Sequence, residues 1–341
     1  MPESLNLAVA GVGNWGRNVL RSFSRANRCQ LRWICDLDQQ ALSRQAALYP
    51  GAQASTDFDK ILGSDVDAVA IATKAVTHHD LAARALAAGK HVFVEKPLCL
   101  TGANTRHLLD LAREKKRKLM VGHLLLFHPC VTRLREMIVG GELGDTYYVY
   151  AQRVNLGVVR QDENAWWSLA PHDVSVICHL FDAQPTTVSA FGQCYLQGGI
   201  EDVVFATLRF ADGRMAHIHT SWLDPHKIRK MTVVGAQRMV TFDDMEPAEK
   251  LRIYDKGAEV KAGVDDFVHA ISIRSGDIRI PRVPGAEPLQ LEVQHFVDGV
   301  LDDKPIRTDG DDGLRVVRVL EAGTESIRRG GQPVTIEGES A

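Results

Sequence analysis

The triplet Glu95-Lys96-Pro97 follows directly on the apolar run His91-Val92-Phe93-Val94. That order sets an ionisable lysine at the end of a buried strand, and the proline fixes the turn behind it. Nearer the start, Gly11-x-Gly13-x-x-Gly16 stands between the apolar run Leu5–Ala10 and a helical stretch beginning at Arg17. Glycines at this spacing permit a tight turn and let the backbone approach a pyrophosphate seated on the helix N-terminus. Asp36 ends the next apolar run, about 20 residues beyond the third glycine, where such sheets place a ribose-binding acid. Its carboxylate would accept a hydrogen bond from a ribose hydroxyl and repel a 2′-phosphate, which favours NAD over NADP. The plainer alternative for Asp36 is a solvated turn or cap residue, with Asp38 nearby. Ligands bind at the carboxyl edge of such sheets. A lysine there can move a proton while a dinucleotide takes a hydride, which is oxidoreductase chemistry.

These residues need a frame. Leu5–Ala10, Leu31–Cys35, Val66–Ala72, His91–Val94 and Leu119–Gly122 read as buried strands. They alternate with helical stretches from Arg17 to about Asn27, Gln39–Leu48, Ala75–Ala88 (with Gly89 as C-cap) and Thr101–Lys116. Strands alternating with helices imply βαβ units and a parallel sheet. The rhythm changes near residue 124. Tyr147–Ala151, Val203–Phe210, Met215–Thr220 and Met231–Val234 alternate in polarity, and Ala211-Asp212-Gly213-Arg214 signals a hairpin. Helices over Pro171–Phe181, Gln290–Leu301 and Leu314–Arg328 should pack on that sheet or close the chain. The expected fold class is α/β, with an N-terminal Rossmann doubly wound parallel sheet over residues 1–123. Residues 124–341 should form a C-terminal α+β domain with a large, mostly antiparallel sheet, serving substrate binding and oligomerisation.

The chain has 341 residues, enough for two domains. A net charge of −3 gives no basic field for nucleic acid or an acidic membrane surface. The basic run Arg113–Lys118 reads as the solvated end of a helix, where cations suit the dipole. No uncharged apolar run is long enough to cross a bilayer. The six cysteines form no Cys-x-x-Cys pair, so reduced structural thiols are expected. Residues 1–9 lack the order of a signal peptide. A cytoplasmic protein is the expectation. The thirteen histidines show no metal-ligand spacing, and hydride transfer from an alcohol needs no metal. His217 and His219 alternate along one strand and read as ordinary sheet residues.

Further residues recur in an ordered series: Gly11-Val12-Gly13-Asn14-Trp15-Gly16, Ala72-Thr73 with His78, Ala87–Leu98, Gly122-His123, Pro129, Gly141–Gly144 and Pro171-His172-Asp173. With them the whole chain resembles the Gfo/Idh/MocA oxidoreductase family, which includes glucose–fructose oxidoreductase and inositol dehydrogenase relatives. The resemblance implies Lys96 and His172 as the catalytic pair, with the Lys96–Pro97 bond often cis. It implies that Gly11, Gly13, Asn14, Trp15, Gly16, Asp36, Thr73, His78, Glu95 and Lys96 hold the cofactor, NAD. It also implies a homodimer or homotetramer joined through exposed sheet faces.

There are two departures from the family pattern. Many relatives carry an aspartate four residues before the histidine, where this chain has Ser168; a serine there reads as a helix N-cap, with Pro171 in the first turn. Lys74 stands where relatives commonly have proline. The segment Gln152–Arg160 and the run Leu169-Ala170-Pro171-His172-Asp173 are similar to members found with sugar-nucleotide pathways. On that side His123, Arg153, Asn155, Arg160, Ser168 and Asp173 are the substrate candidates. Arg153, Asn155 and Arg160 could bind hydroxyls or phosphate, or equally form strand-end ion pairs.

The expected activity is NAD-dependent hydride transfer at a secondary alcohol or ketone of a sugar. By analogy with the family, the reacting centre is C3 of a nucleotide-linked hexose. The alternatives are an inositol or free-sugar dehydrogenase and, from another class, a nucleotide-sensing regulator without turnover.

Overall fold

Apolar residues in unbroken runs must be covered on both faces, which only a sheet flanked by helices provides. In the computed structural model, which describes residues 3–260 and 271–336, the first such run, Leu7–Ala10, ends a central strand, Leu5–Ala10. The termini of the expected domains (1–2 and 337–341) and residues 261–270 lie outside the described residues. Contacts divide the chain into two units, Met1–Phe127 with Ala286–Arg318, and His128–Gly285 with Val319–Ala341.

The first unit holds β1 (Leu5–Ala10), β2 (Cys29–Cys35), β3 (Gln53–Ser55), β4 (Ala68–Ile71), β5 (His91–Glu95) and β6 (Leu119–Gly122). They form a parallel sheet in the order β3-β2-β1-β4-β5-β6. The order reverses between β1 and β4, and there the carboxyl ends of the strands open the crevice used for ligands in doubly wound sheets. Helices α1 (Gly16–Ser24), α2 (Gln39–Leu48), α3 (Phe58–Leu62), α4 (His78–Ala87) and α5 (Gly102–Lys115) make the connections. Gly89 takes φ +75 behind α4, as a C-terminal glycine should. The start of α4 differs from expectation, because Ala75–Thr77 form a separate 3₁₀ turn. β3 and α3 were not anticipated; they are short, and β3 is an exposed polar edge.

The boundary drawn at 123 in the sequence did not foresee that 286–318 groups with the first unit. Helix α8 (Pro288–Leu301) lies against α1 and β1. The cause is aromatic packing. Phe296 meets Phe23 at 6.0 Å and Phe93 at 5.9 Å, and those two rings are 5.5 Å apart, all edge-on. The chain then pairs with the open edge of β6. Val121 N donates to Thr308 O at 2.7 Å, and Thr308 Oγ1 donates to Val121 O at 2.7 Å. Covering an edge strand removes a site for unwanted pairing.

The second unit is built on a nine-stranded sheet. Its strands are β7 (Thr146–Val154), β8 (Thr187–Gln193), β9 (Val203–Arg209), β10 (Met215–Ser221), β11 (Ile228–Gly235), β12 (Met239–Asp243), β13 (Leu251–Val260), β14 (Ile271–Arg279) and β15 (Val334–Thr335). The order is β14-β13-β12-β11-β7-β10-β9-β8-β15, antiparallel except where β10 meets β7. The hairpin at 211–214 joins β9 to β10, with Gly213 at φ +88. Alternation buries Val149, Ala151, Ala206 and Ile218 on one face and leaves Tyr148, Tyr150, Phe205 and Met215 exposed on the other. Helices α6 (Pro129–Val139) and α7 (Ala165–Phe181) complete the core, α7 packing on β7, β9 and β10. Trp166 of α7 is fully buried and donates Nε1–H to Leu320 O at 3.0 Å. The final helix, α9 (Gly310–Arg328), follows α8 in the chain. Among the described residues no helix is long and apolar enough to cross a membrane.

Helix α7 corrects one expectation. It starts at Ala165, not near Pro171, and its N-cap is Asn164, whose Oδ1 accepts from Trp167 N at 3.0 Å. Ser168 is therefore a buried residue inside the helix, and Pro171 is accommodated in the helix interior. With the helix starting at Ala165, the orphan donor at Trp167 N is taken by Asn164, and the N–H of Ala170 that a cap at Ser168 would have served lies inside the helix.

Candidate active site

In the first unit the candidates gather at the carboxyl ends of β1, β4, β5 and β6. Each glycine of the loop after β1 has its own reason. A Cβ on Gly11, at φ +88, would sit 2.7 Å from the backbone of Ala72 and Thr73. One on Gly16 would sit 2.0 Å from Gly11 O, whereas at Gly13 it would meet nothing within 4 Å. Two glycines are thus required by the chain's own packing, and the middle one keeps a space open above the loop. No side chain caps α1 at Trp15, so the helix start carries no internal anion. The open space and the uncapped helix fit a dinucleotide pyrophosphate. Asn14 and Trp15 lie exposed on the same loop.

Asp36 supports this loop from β2. Its Oδ2 accepts from Val12 N at 2.7 Å, and its Oδ1 accepts from Asp38 N at 2.8 Å. A carboxylate has about four acceptor positions, so both oxygens keep capacity for a ribose hydroxyl. The solvated-cap alternative is also partly realised, since Asp38 caps α2 through Gln40 N and Ala41 N.

Lys96 is half-buried directly after β5, and its bond to Pro97 is cis. His78 lies beneath the turn. Its Nδ1 is 2.8 Å from Pro97 O and its Nε2 3.2 Å from Thr73 O. Burial above all, and the Lys96 charge in addition, hold this ring neutral. A neutral ring donates once, and the shorter contact to Pro97 takes the proton. His78, at the start of α4, thereby holds the turn after β5 through Pro97 O. Thr73 Oγ1 bonds Thr77 Oγ1 at 2.7 Å. Glu95 is buried, receives Trp15 Nε1–H at 2.6 Å and receives Lys96 N–H at 3.3 Å. Burial raises its carboxyl pKa, against the lowering effects of Trp15 and Lys96.

His123 follows β6 and is buried, and neither ring nitrogen has a hydrogen-bond partner among the described residues. Burial, then the Lys96 charge, push it down to about 3. Its Nε2 is 3.8 Å from Asp312 Oδ2, whose carboxyl is pushed up by burial to about 7. Sequence reasoning missed Asp312, which stands in an acidic helix start with no pattern to mark it.

The second unit holds the remaining candidates. Arg153 on β7 and Asp173 on α7 are buried and paired in a fork, Nε to Oδ2 at 2.8 Å and Nη2 to Oδ1 at 3.0 Å. This is the ion-pair alternative for Arg153, and it ties the turn of α7 carrying the half-buried His172 to the sheet. Asn155 follows β7, its N–H bonding Ser221 O at 3.1 Å. Arg160 is exposed and pairs with Glu163 at 2.7 Å. Arg229 on β11, missed in the sequence, stands opposite Arg153 in register. Burial and the Arg153 charge lower its pKa.

A glycine loop after β1, an acid after β2 and a lysine after β5, all at the carboxyl edge of one parallel sheet, are the arrangement expected of a dinucleotide-dependent oxidoreductase. The family described as "Oxidoreductase family, NAD-binding Rossmann fold" matches residues 5–123, and the C-terminal domain of the same family matches 131–241. Together these cover more than half of the chain, which belongs to the Gfo/Idh/MocA family and uses NAD. It is 26% identical to UDP-N-acetylglucosamine 3-dehydrogenase of Acidithiobacillus ferrooxidans, over 92% of this chain and 94% of that one. It is 23% identical to inositol 2-dehydrogenase of Rhizobium meliloti, over 95% and 97%. The solved structure of GenD2 from gentamicin A biosynthesis, in complex with NAD, matches with TM-score 0.83 at 26% identity, over 99% of this chain and 98% of that one.

Proposed function

We propose that the chain oxidises a secondary alcohol of a sugar with NAD, at C3 of a nucleotide-linked hexose, and reduces the ketone in the reverse direction. The observation that carries this reading is Lys96 at the end of β5, close enough for its charge to act on His78, Glu95 and His123. The similarity to UDP-N-acetylglucosamine 3-dehydrogenase supports C3 and the nucleotide handle. NAD, when bound, supplies the hydride acceptor. Lys96, as a neutral amine, takes the hydroxyl proton as hydride leaves the same carbon, so the carbinol becomes a ketone and the amine an ammonium. In the reverse direction the ammonium returns that proton. His172 is the second proton-handling group and orients the hydroxyl, its helix turn fixed by the Arg153–Asp173 pair. Arg229 is the residue we assign to a phosphate of the handle. His123, Asn155 and Arg160 remain candidates for the sugar and nucleotide; Ser168 and Asp173 act in this reading through α7.

The test is NADH absorbance with NAD and either UDP-N-acetylglucosamine or myo-inositol. Turnover of the nucleotide sugar is expected, with a ketone product. Turnover of inositol alone would replace this substrate with the second reading, which the similarity to inositol 2-dehydrogenase supports. Lys96→Met should fold and bind NAD but lose roughly 10²–10⁴-fold in kcat, the range for a positioned acid–base group. Near-normal kcat would remove the central assignment.

A further inference from the structure

Glu292 on α8 is fully buried, and neither of its carboxyl oxygens meets a hydrogen-bond donor among the described residues. An ionised carboxylate in that position is strongly disfavoured, so the group is a neutral acid with a proton to give. The helix geometry says where that proton points. Arg21 pairs with Glu287, Asn27 N with Gln294, and Arg28 with Asp302, so α8 runs alongside α1 in the same sense. Helix α1 returns from the carboxyl end of β1, so both helices run against the strands. Phe296 and Phe93 are in contact at 5.9 Å. One turn back along α8 from Phe296 is Glu292, a step of about 6 Å. Two residues forward along β5 from Phe93 is Glu95, on the same face, a step of about 6.6 Å. The two acids are thus the next pair along the helix–strand seam. Their mutual influence agrees, since burial first and the Glu95 charge second raise the Glu292 carboxyl well above the usual range.

We propose that Glu292 is a positioning residue for the cofactor loop, donating its O–H to the Glu95 carboxylate and so fixing the group that receives Trp15 Nε1–H and the Lys96 N–H. Glu95 at the end of β5 is bonded to Trp15, which sits inside the glycine loop, and the proposed O–H bond would extend that link to α8. The acid pair carries one proton and one negative charge, with Lys96 as the positive charge that bears on it. The inference rests on NAD binding at that loop and is independent of which sugar is the substrate.

The test uses the full chain, with NAD as the probe, and compares Glu292→Gln with Glu292→Leu. The glutamine amide can donate to Glu95 as the acid does, and leucine cannot. Glu292→Gln should keep the NAD Kd within about threefold. Glu292→Leu should raise it about tenfold, the equivalent of about 1.4 kcal/mol. Its thermal midpoint without NAD should stay level or rise, because an apolar side chain replaces a buried acid. A purely structural role would move the midpoint and leave the Kd unchanged. An unchanged Kd in Glu292→Leu, or equal weakening in both variants, would overturn the proposal. If Glu292→Leu does not fold, the Trp15 indole N–H resonance decides, assigned with Trp15→Phe. Retention of its hydrogen-bonded shift in Glu292→Gln supports the proposal, and its loss overturns it.

Discussion

Gly13 and Gly16 belong to one motif, yet a single added methyl should have opposite consequences at the two positions. At Gly16 the new carbon would fall 2.0 Å from Gly11 O, a backbone atom that cannot swing aside; at Gly13 it would meet nothing within 4 Å. Gly13→Ala should therefore leave the apoprotein's thermal midpoint near the wild-type value, or raise it slightly, since alanine restricts the unfolded chain by about 0.4–1 kcal/mol. The methyl would instead occupy the space through which phosphate oxygens reach the loop N–H groups. A hydrogen bond to a charged group contributes about 1.5–3 kcal/mol. Losing one weakens NAD binding by roughly 10- to 100-fold. Gly16→Ala should destabilise the fold itself, by about 1–3 kcal/mol as for other overpacked sites. Calorimetric titration with NAD, with scanning calorimetry of the apoprotein, separates the two effects. A Gly13→Ala protein with wild-type NAD affinity would refute the assignment of that open space to the pyrophosphate.

Asp36→Asn keeps an acceptor for Val12 N–H but drops the charge, so titrations should show NADPH gaining on NADH; an unchanged ratio would remove the electrostatic basis of NAD preference. Asp312 and His123 should give opposite pH slopes to stability. Asp312 stays protonated in the fold to about 7, while unfolded it ionises near about 4, so its contribution is full below that value and lost as pH rises through 7. His123 charges in the fold only near about 3, while unfolded it does so near about 6.5, so its contribution is full above that and lost as pH falls. Between about pH 4 and 6.5 the two oppose, each at about 1.4 kcal/mol per pH unit. The thermal midpoint of Asp312→Asn should therefore rise with pH relative to wild type, and that of His123→Phe should fall; slopes of the same sign would contradict the scheme. The sheet face carrying Tyr148, Tyr150, Phe191, Phe205 and Met215, each more than 40% exposed, should be covered in a homodimer or homotetramer. A monomer by light scattering at micromolar concentration would refute that.

The parallel sheet was legible because its strands are buried on both faces. Leu7–Ala10 and Ala68–Ile71 are unbroken apolar runs, and the glycines between them mark the turn. The β9–β10 hairpin was legible for the opposite reason, since its alternating residues have one face covered and one open. The reading failed where a local signal competed with a tertiary one. Ser168-x-x-Pro171 looked like a helix start, but α7 is held by its buried face and capped by Asn164. The return of 286–318 to the first unit was hidden because an amphipathic helix shows that it has an apolar face, not which partner will cover it. Glu292 did leave a mark. It lies on the stripe of Leu289, Val293 and Phe296, and an acid in such a stripe is the signal of a buried carboxyl.

The supporting residues around Lys96 share one property. Burial favours the neutral forms of His78 and His123, and it raises the Asp312 and Glu292 carboxyls. A fixed anion close to an amine retains its proton, and a fixed cation expels it. For an amine proposed both to take and to return a proton, neutral side chains leave the adjacent Glu95 carboxylate as the charge that acts on it. Packing against strand ends favours the neutral forms of these groups, since desolvation is the first cause at every one of these positions. The charge left at the edge of β5 is then set by Lys96 and by Glu95, the carboxylate that also holds Trp15 in the cofactor loop. In the proposed mechanism, cofactor binding and proton transfer would therefore meet at one strand end, in the adjacent residues Glu95 and Lys96.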